Sequence, residues 1–176
     1  TPISSLSDAI RKQTIVINGV SKTYAMTGWR VGFAVGEPEI ISGMAKIISQ
    51  TTSNLTSVSQ YAAIEALTGD QSSIEEMRKA FEERLNTIYP LLAEVPGFEV
   101  IKPQGAFYLF PNVKKAMEIK GYTDVNDFTN AILEEAEVAL VTGAGFGAPE
   151  NIRLSYATDL DILKEAVRRI KAFMEK

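Results

Sequence analysis

The chain contains no cysteine and no histidine among its 176 residues. Without cysteine, disulfides and thiolate chemistry are excluded, and without either residue type the usual zinc sites are excluded as well. A catalytic triad built on histidine is also impossible within this chain. We therefore predict no metal site, and any catalysis must use Lys, Arg, Asp, Glu, Tyr, Ser or Thr.

Positive charge is scarce relative to negative charge. The 18 lysines and arginines stand against 22 acidic residues, which gives a net charge of −4. The basic residues form no cluster longer than the adjacent pairs 114–115 and 168–169, which we interpret as parts of solvated helix faces. Because a nucleic-acid-binding protein would show a basic stripe, we predict no nucleic-acid partner.

Long apolar runs are also missing. The longest uncharged segment, 47–64, is rich in Ser, Thr, Gln and Asn, so we predict no membrane span. The N-terminus lacks the charged-then-apolar pattern of a signal peptide, and we therefore expect a cytoplasmic protein. Because the first residue is Thr rather than Met, we also expect the chain to be part of a longer polypeptide.

One segment, 21–32, concentrates residues that are suited to chemistry; it reads SKTYAMTGWRVG. Lys22 follows an apolar strand predicted at 14–17, and Arg30 comes eight residues later. A desolvated lysine can lose its proton and attack an aldehyde, while the donors of an arginine suit a phosphate. An aldehyde that carries a phosphate describes pyridoxal 5'-phosphate, which we predict as the cofactor.

Both residues also have a plainer interpretation, which the sequence leaves open. Lys22 can be an ordinary lysine of a surface loop. Arg30 can form a structural ion pair, since burying a guanidinium without an anion costs several kcal/mol. We expect Gly28 to relax the backbone between them, so that the two side chains converge on one site.

Arg153 is the one charged residue of a second notable segment, the apolar strand predicted at 151–156. Strand alternation places Arg153 and Ser155 on one face and the apolar residues on the other. An inward arginine would suit bidentate capture of a carboxylate. An outward arginine would only lie on a solvated strand face.

The first part of the chain predicts two short strands, at 14–17 and 31–35, whose apolar character is typical of a parallel sheet buried on both faces. Apolar spacing predicts helices at 4–12, 38–50, 60–67 and 72–93. Two strands do not make a stable parallel sheet by themselves. We therefore interpret this part as the tail of a larger α/β domain, with a boundary near residue 80.

The second part predicts a smaller α+β unit. Its strands are expected at 98–101, 107–110, 138–141 and 151–156, and its helices at 124–136 and after Asp159, a predicted N-cap. The last helix is expected to carry an apolar stripe of Leu163, Val167, Ile170 and Met174. The glycine-rich segment 143–147 precedes a strand rather than the helix that a phosphate loop requires, so we interpret it as a tight connector. The aromatic residues of 107–110 are expected to pack in the core, as is Tyr24.

Three segments carry a resemblance to a known family. Segment 21–32 is similar to the lysine segment of class I aminotransferases of fold type I, and looks most like the bacterial aspartate aminotransferase branch. Segment 151–157, NIRLSYA, resembles the carboxylate-binding strand of that family, and 105–108, GAFY, resembles a turn and strand of its small domain. The order and spacing of the segments also agree, so the resemblance covers essentially the whole chain.

The resemblance implies an α/β fold and a role for each candidate residue. Residues 1–80 would be the C-terminal part of the large domain that binds pyridoxal phosphate, and 81–176 the small α+β domain. Lys22 would bind the cofactor as a Schiff base and then move the proton at the substrate α-carbon. Arg30 would bind the cofactor phosphate, and Arg153 the α-carboxylate of the amino acid.

The resemblance further implies an aspartate-type aminotransferase that moves an amino group between an L-amino acid and 2-oxoglutarate, as a homodimer when full length. The family's other cofactor-binding residues lie upstream of the lysine strand, so we expect this chain to be inactive alone. Two alternatives stay open. One is a non-catalytic sensor or interaction module of the same fold, and the other is a related pyridoxal phosphate β-lyase that keeps the same lysine and arginines.

Overall fold

A computed structural model describes all residues from Thr1 to Lys176. The chain divides into two compact units, Thr1–Glu76 and Met77–Lys176. The division falls within the long helix Ser72–Ala93, which begins and ends where the sequence predicts. Both units mix helices and short strands, so the predicted α/β class is confirmed. None of the helices combines the length and apolar character needed to cross a membrane.

The first unit alternates short strands and helices. In chain order it contains α1 (Asp8–Arg11), β1 (Val16–Gly19), β2 (Gly32–Val35), α2 (Pro38–Thr51), α3 (Ser57–Thr68) and the start of α4 (Ser72–Ala93). Pro38 opens α2 because its fixed φ suits a first helical turn. The helix predicted at 4–12 is interrupted, because the Ser7 side chain accepts a hydrogen bond from the Ile10 amide and starts a new helix there.

β1 and β2 form an antiparallel pair, in which Val16 lies opposite Val35 and Gly19 opposite Gly32. The expectation of a parallel sheet is therefore wrong, because the short connection between the two strands returns the chain without a crossover helix. The expected burial on both faces is wrong as well. Ile17 is 79% exposed, since a sheet of two strands leaves one face uncovered.

The core of the first unit is small. Val20, Val31 and Ala63 are buried, with Tyr24 and Leu55 among the partly buried residues that pack against them. Helix α2 buries none of its residues. Many large apolar side chains are instead exposed: Ile40, Ile47, Ile48, Val58, Tyr61, Ile64 and Leu67. This unit therefore gains little stability from apolar burial.

The second unit is built on a three-stranded antiparallel sheet. After α4 it contains β3 (Tyr108–Leu109), α5 (Lys114–Lys120), α6 (Val125–Ala136), β4 (Val141–Thr142), β5 (Ile152–Ser155) and α7 (Leu160–Glu175). The strand order is β3-β5-β4, so β5 is the central strand. Tyr108 pairs with Ser155 on one side, and Val141 pairs with Arg153 on the other.

This unit has a continuous core in which helices α4, α6 and α7 bury apolar side chains together with the sheet. The predicted apolar stripe of α7 is confirmed, since it buries Leu163, Val167, Ile170 and Met174. Asp159 is the N-cap of α7, and its carboxylate accepts hydrogen bonds from the amides of Asp161 and Ile162.

Three sequence-based expectations for this unit differ from the structure. The strand predicted at 98–101 is reduced to one isolated bridge between Glu99 and Asn112. The strand predicted at 138–141 forms at Val141–Thr142 instead. Helix α5 was not expected, although Asn112 accepts a hydrogen bond from the Lys114 amide at its start and Gly121 ends it at φ +77°.

Candidate functional site

Lys22 and Arg30 line the same cavity in the first unit. The cavity measures about 390 Å³ and its walls are formed by Asn18, Gly19, Ser21, Lys22, Thr23, Arg30, Val31 and Gly32. This volume lies within the range of small-molecule sites. The structure therefore brings together the two residues that the sequence singles out in segment 21–32.

The end of the strand pair positions this cavity. Gly19 lies so close to β2 that a Cβ atom added to it would be 2.8 Å from the carbonyl oxygen of Val31. The next residue, Val20, donates its amide to that same oxygen at 3.3 Å. Val20 and Val31 are both buried. Lys22 therefore lies only two residues after Val20, whose backbone is fixed by its hydrogen bond to Val31.

Two backbone hydrogen bonds close the turn that carries Lys22. The amide of Tyr24 donates to the carbonyl oxygen of Val20 at 3.3 Å, and the amide of Ala25 donates to that of Lys22 at 3.2 Å. Tyr24 packs against the small core, as expected, and its hydroxyl donates to the side-chain oxygen of Gln71 at 3.3 Å. The turn is therefore fixed by its own backbone hydrogen bonds and by the packing of Tyr24.

Arg30 has a left-handed backbone, with φ +56° and ψ +44°, at the end of the 3₁₀ turn Thr27–Trp29. Such a conformation is uncommon for a residue other than glycine and costs on the order of 1 kcal/mol. Gly28 is not left-handed, whereas Ala25 and Arg30 are. The expectation that Gly28 supplies the conformational freedom of this segment is therefore wrong.

The surroundings of the two cations differ from the buried environment expected for them. Lys22 and Arg30 are both exposed, because two strands alone do not enclose the cavity. The ion pair considered as an alternative for Arg30 is not formed. Its guanidinium donates instead to the carbonyl oxygen of Thr27 at 3.1 Å, which leaves the charge of Arg30 without a neutralising carboxylate.

Arg153 lies in the second unit, on the central strand β5. The predicted alternation is confirmed, since Ile152 and Leu154 are buried while Arg153 and Ser155 lie on the other face. The Arg153 guanidinium carbon is 4.5 Å from the centre of the Tyr108 ring and 4.6 Å from that of Phe146. The partners of this cation are therefore two aromatic rings, one on β3 and one in the loop before β5.

Sequence reasoning missed both aromatic neighbours of Arg153. Tyr108 and Phe110 are expected in the core with Phe107, but of the three only Phe107 packs there, with its ring centre 5.9 Å from that of Phe81. Phe110 is 39% exposed. The alternation of strand β3 was the signal that could have separated them, because adjacent residues of a strand point to opposite faces. The position of Phe146 has no such signal, since it depends on a loop folding back on the sheet.

The glycine-rich segment 143–147 is a tight connector, as predicted. It forms a 3₁₀ turn over Ala144–Phe146, and Gly143 accepts a hydrogen bond from the Phe146 amide at 2.9 Å. A Cβ atom added to Gly143 would collide with the carbonyl oxygens of Ala148 and Asn151. The loop that carries Phe146 is therefore closely fitted to the chain that leads into β5.

A separate group of charges lies on helix α7. Glu165 accepts hydrogen bonds from Arg168 at 2.7 Å and from Arg169 at 2.8 Å. These two guanidinium groups lower the pKa of Glu165 to about 2. Arg169 also pairs with Glu137 at 2.8 Å. No group of acidic side chains in the structure is arranged to hold a metal ion.

Comparison with known proteins places the chain among aminotransferases. Residues 2–170 match the family model described as aminotransferase class I and II. The chain is 76% identical over 176 residues to an asparagine–oxo-acid transaminase of Streptococcus mutans, covering all of this chain and 45% of that protein. It is 58% identical over 174 residues to an aspartate aminotransferase of Bacillus subtilis, covering 99% of this chain and 44% of that protein.

The fold agrees with this relationship. A solved structure of an aspartate aminotransferase from Rhizobium meliloti superposes with a TM-score of 0.87 at 38% identity, over 97% of this chain and 44% of that one. The chain thus spans less than half the length of the curated relatives that it matches. Since the family model covers nearly every residue and the fold is shared, the chain belongs to the class I and II aminotransferase family.

Proposed function

We propose that residues 1–176 are the C-terminal part of an aminotransferase that moves an amino group between an L-amino acid of the aspartate or asparagine type and 2-oxoglutarate. The observation that carries this proposal is the shared cavity of Lys22 and Arg30 in a chain of this family. The names of the relatives, an asparagine–oxo-acid transaminase and an aspartate aminotransferase, support the substrate class.

Pyridoxal 5'-phosphate, on which class I aminotransferases depend, fits the donor set of the cavity. Lys22 supplies an amine for the aldehyde, and Arg30 supplies a guanidinium that no carboxylate neutralises, with the hydroxyl groups of Ser21 and Thr23 on the same wall. When bound, the cofactor supplies an electron sink that makes the α-hydrogen of an amino acid acidic enough to remove.

Each candidate residue has a distinct role in this proposal. The Nζ atom of Lys22 would hold the cofactor through its aldehyde carbon and, as a free amine, would accept the proton from the substrate α-carbon and donate it to the cofactor carbon that carried the aldehyde. The guanidinium of Arg30 binds the phosphate. Arg153 receives the substrate α-carboxylate through two parallel N–H donors.

The domain organisation follows the same proposal. Residues 1–80 belong to the larger, cofactor-binding domain and 81–176 form the smaller α+β domain, with the boundary on helix α4. The exposed apolar residues of the first unit, such as Ile17 and Tyr61, support its belonging to a larger structure. The full-length protein is proposed to be a homodimer, and residues 1–176 are expected to be inactive alone.

The test of the cofactor assignment uses the complete polypeptide that carries these residues. After incubation with the cofactor and removal of the unbound excess, the purified protein should stay yellow, and borohydride reduction followed by peptide mass spectrometry should fix the label on Lys22. Lys22→Ala should abolish both signals, whereas Lys12→Ala, which replaces another exposed lysine, should keep them. Label on a different lysine would refute the assignment.

Product analysis distinguishes transamination from the alternatives. With aspartate or asparagine as donor and 2-oxoglutarate as acceptor, the expected products are the corresponding 2-oxo acid and glutamate. With an amino acid that carries a leaving group on its β-carbon, such as cystathionine, release of ammonia, pyruvate and the leaving group as a thiol would identify a β-lyase instead. The absence of any turnover by a cofactor-loaded protein would identify a sensor or interaction module. Turnover by residues 1–176 alone would contradict the expected inactivity of this part.

A further inference from the structure

We propose that Tyr108 and Phe146 act as positioning residues that clamp the Arg153 guanidinium for recognition of the substrate carboxylate. The inference rests on the proposed function, because it takes Arg153 as the carboxylate-binding residue. It adds a role for the glycine-rich segment 143–147, which presents Phe146, and for one of the aromatic residues of β3.

Geometry is the first argument for the clamp. The guanidinium carbon of Arg153 lies 4.5 Å from the Tyr108 ring centre and 4.6 Å from the Phe146 ring centre. Both distances are well inside the limit of about 6 Å for a cation–π contact. The N–H donors of a guanidinium point outwards in its own plane. When aromatic rings cover its faces, these donors stay free at the edge, and a carboxylate can accept two of them in the same plane.

The two rings come from separate parts of the chain. Tyr108 lies on β3, which pairs with β5 through Tyr108 and Ser155. Phe146 comes from the loop after β4, which pairs with the other side of β5 through Val141 and Arg153. The Phe146 ring also meets the Phe110 ring edge-on, with a centre distance of 6.1 Å and an angle of 89°. Arg153 is thus contacted by one ring from β3 and by one ring from the loop after β4, the two strands that flank β5.

Electrostatics explains why rings rather than carboxylates serve this purpose. Arg169, on helix α7, is paired with Glu165 and Glu137, so its donors are occupied and its charge is neutralised. Arg153 has no such ion pair, and the faces of its ring partners attract the cation without consuming its charge-assisted donors. A carboxylate partner would compete with the substrate, whereas the clamp orders Arg153 and leaves its charge available.

The experiment measures carboxylate binding in the complete, cofactor-loaded polypeptide. The probe is succinate, titrated through its effect on the cofactor absorbance, together with steady-state kinetics for aspartate. Phe146→Leu should weaken succinate binding and raise KM by about 3- to 10-fold, with kcat changed by less than about 2-fold. Phe146→Tyr keeps a ring and should restore values near those of the original protein. Because Phe146 is 54% exposed, Phe146→Leu should leave the unfolding midpoint nearly unchanged.

A double mutant connects the effect to Arg153. In an Arg153→Lys background the planar guanidinium is gone, so Phe146→Leu should cause a smaller further loss of succinate affinity than it causes in the original protein. An undiminished loss in that background, or equal succinate affinity of Phe146→Leu and the original protein, would overturn the clamp while leaving the proposed function intact. Unchanged succinate affinity of Arg153→Lys alone would instead refute the proposed role of Arg153, on which the clamp depends.

Discussion

The hydroxyl of Tyr156 donates a hydrogen bond of 2.9 Å to the backbone carbonyl oxygen of Ala106, a residue 50 positions earlier in the chain. Ala106 has a left-handed backbone with φ +61°, immediately before the segment that enters β3. Tyr156 is 2% exposed, and burial raises the pKa of its phenol. The hydroxyl therefore keeps its proton, and its role as donor, to higher pH than an exposed tyrosine would.

Tyr156→Phe should destabilise the protein, because the carbonyl of Ala106 loses its donor while the ring remains. The expected loss in the free energy of unfolding is about 1 kcal/mol, measured by urea denaturation. Tyr61→Phe is the matched control, since Tyr61 is 75% exposed, and it should change the midpoint very little. Equal midpoints for the two variants would show that the Tyr156 hydrogen bond has no net effect.

Gly97 and Gly121 share the same backbone angle, φ +77°, but differ in their surroundings. A Cβ atom added to Gly97 would be 2.5 Å from the backbone nitrogen of Ala116, whereas one added to Gly121 would meet nothing within 4 Å. Gly121→Ala should therefore cost only the left-handed strain, about 1 kcal/mol.

Gly97→Ala adds a collision with backbone to the same strain, so it should cost about 1–3 kcal/mol more than Gly121→Ala. The measurement is the difference between the unfolding free energies of Gly97→Ala and Gly121→Ala. The strain of alanine at a positive φ is common to both variants and therefore cancels. A difference near zero would mean that helix α5 can shift away from Gly97 without cost.

Gly19→Ala should disturb the strand pair that carries the lysine turn. Its new Cβ atom would approach the carbonyl oxygen of Val31 to 2.8 Å, and that oxygen already accepts the Val20 amide. We expect a loss of about 1–3 kcal/mol in stability and a lower cofactor content of the purified complete polypeptide. Gly28→Ala is the control, because nothing lies within 4 Å of its added Cβ. Retention of full cofactor content by Gly19→Ala would contradict this prediction.

Acid should weaken the charge cluster of helix α7. The pKa of Glu165 is lowered from 4.5 to about 2 by Arg168 and Arg169, so its stabilising effect is complete above pH 4.5 and is lost as the pH falls towards 2. Glu165→Gln should therefore lower the melting temperature at pH 6 to 7, and its difference from the original protein should disappear near pH 2.

The control for this pH series is Glu134→Gln, which removes an exposed carboxylate of helix α6. That variant should show no comparable pH-dependent difference. High salt should also reduce the Glu165 effect, because the three side chains are solvent-accessible. A difference for Glu165→Gln that stays constant from pH 7 to 2 would exclude an electrostatic origin.

Much of the fold could be predicted because its helices are encoded locally. The stripe of α7 and the cap at Asp159 are both visible in the sequence, and both are confirmed. The antiparallel pairing of β1 with β2 could not be predicted in the same way. Strand direction depends on where the chain travels between the strands, which periodicity does not describe.

The candidate site was predictable to the extent that it lies in one continuous segment. Lys22 and Arg30 are close in sequence, and they line one cavity. The aromatic neighbours of Arg153 are 45 and 7 residues away from it along the chain, so they depend on sheet pairing and on the path of a loop. Contacts between distant residues of this kind follow only from the tertiary structure.

The unequal cores of the two units have a consequence for hydrogen exchange. The buried residues of the larger core all lie between Ile88 and Met174, so amides of the strands and helices there should exchange with solvent mainly through global opening. The smaller core comprises three buried residues, Val20, Val31 and Ala63. Amides of the lysine turn should therefore exchange orders of magnitude faster, through local fluctuations, and protection gained there on adding cofactor would report ligand binding directly.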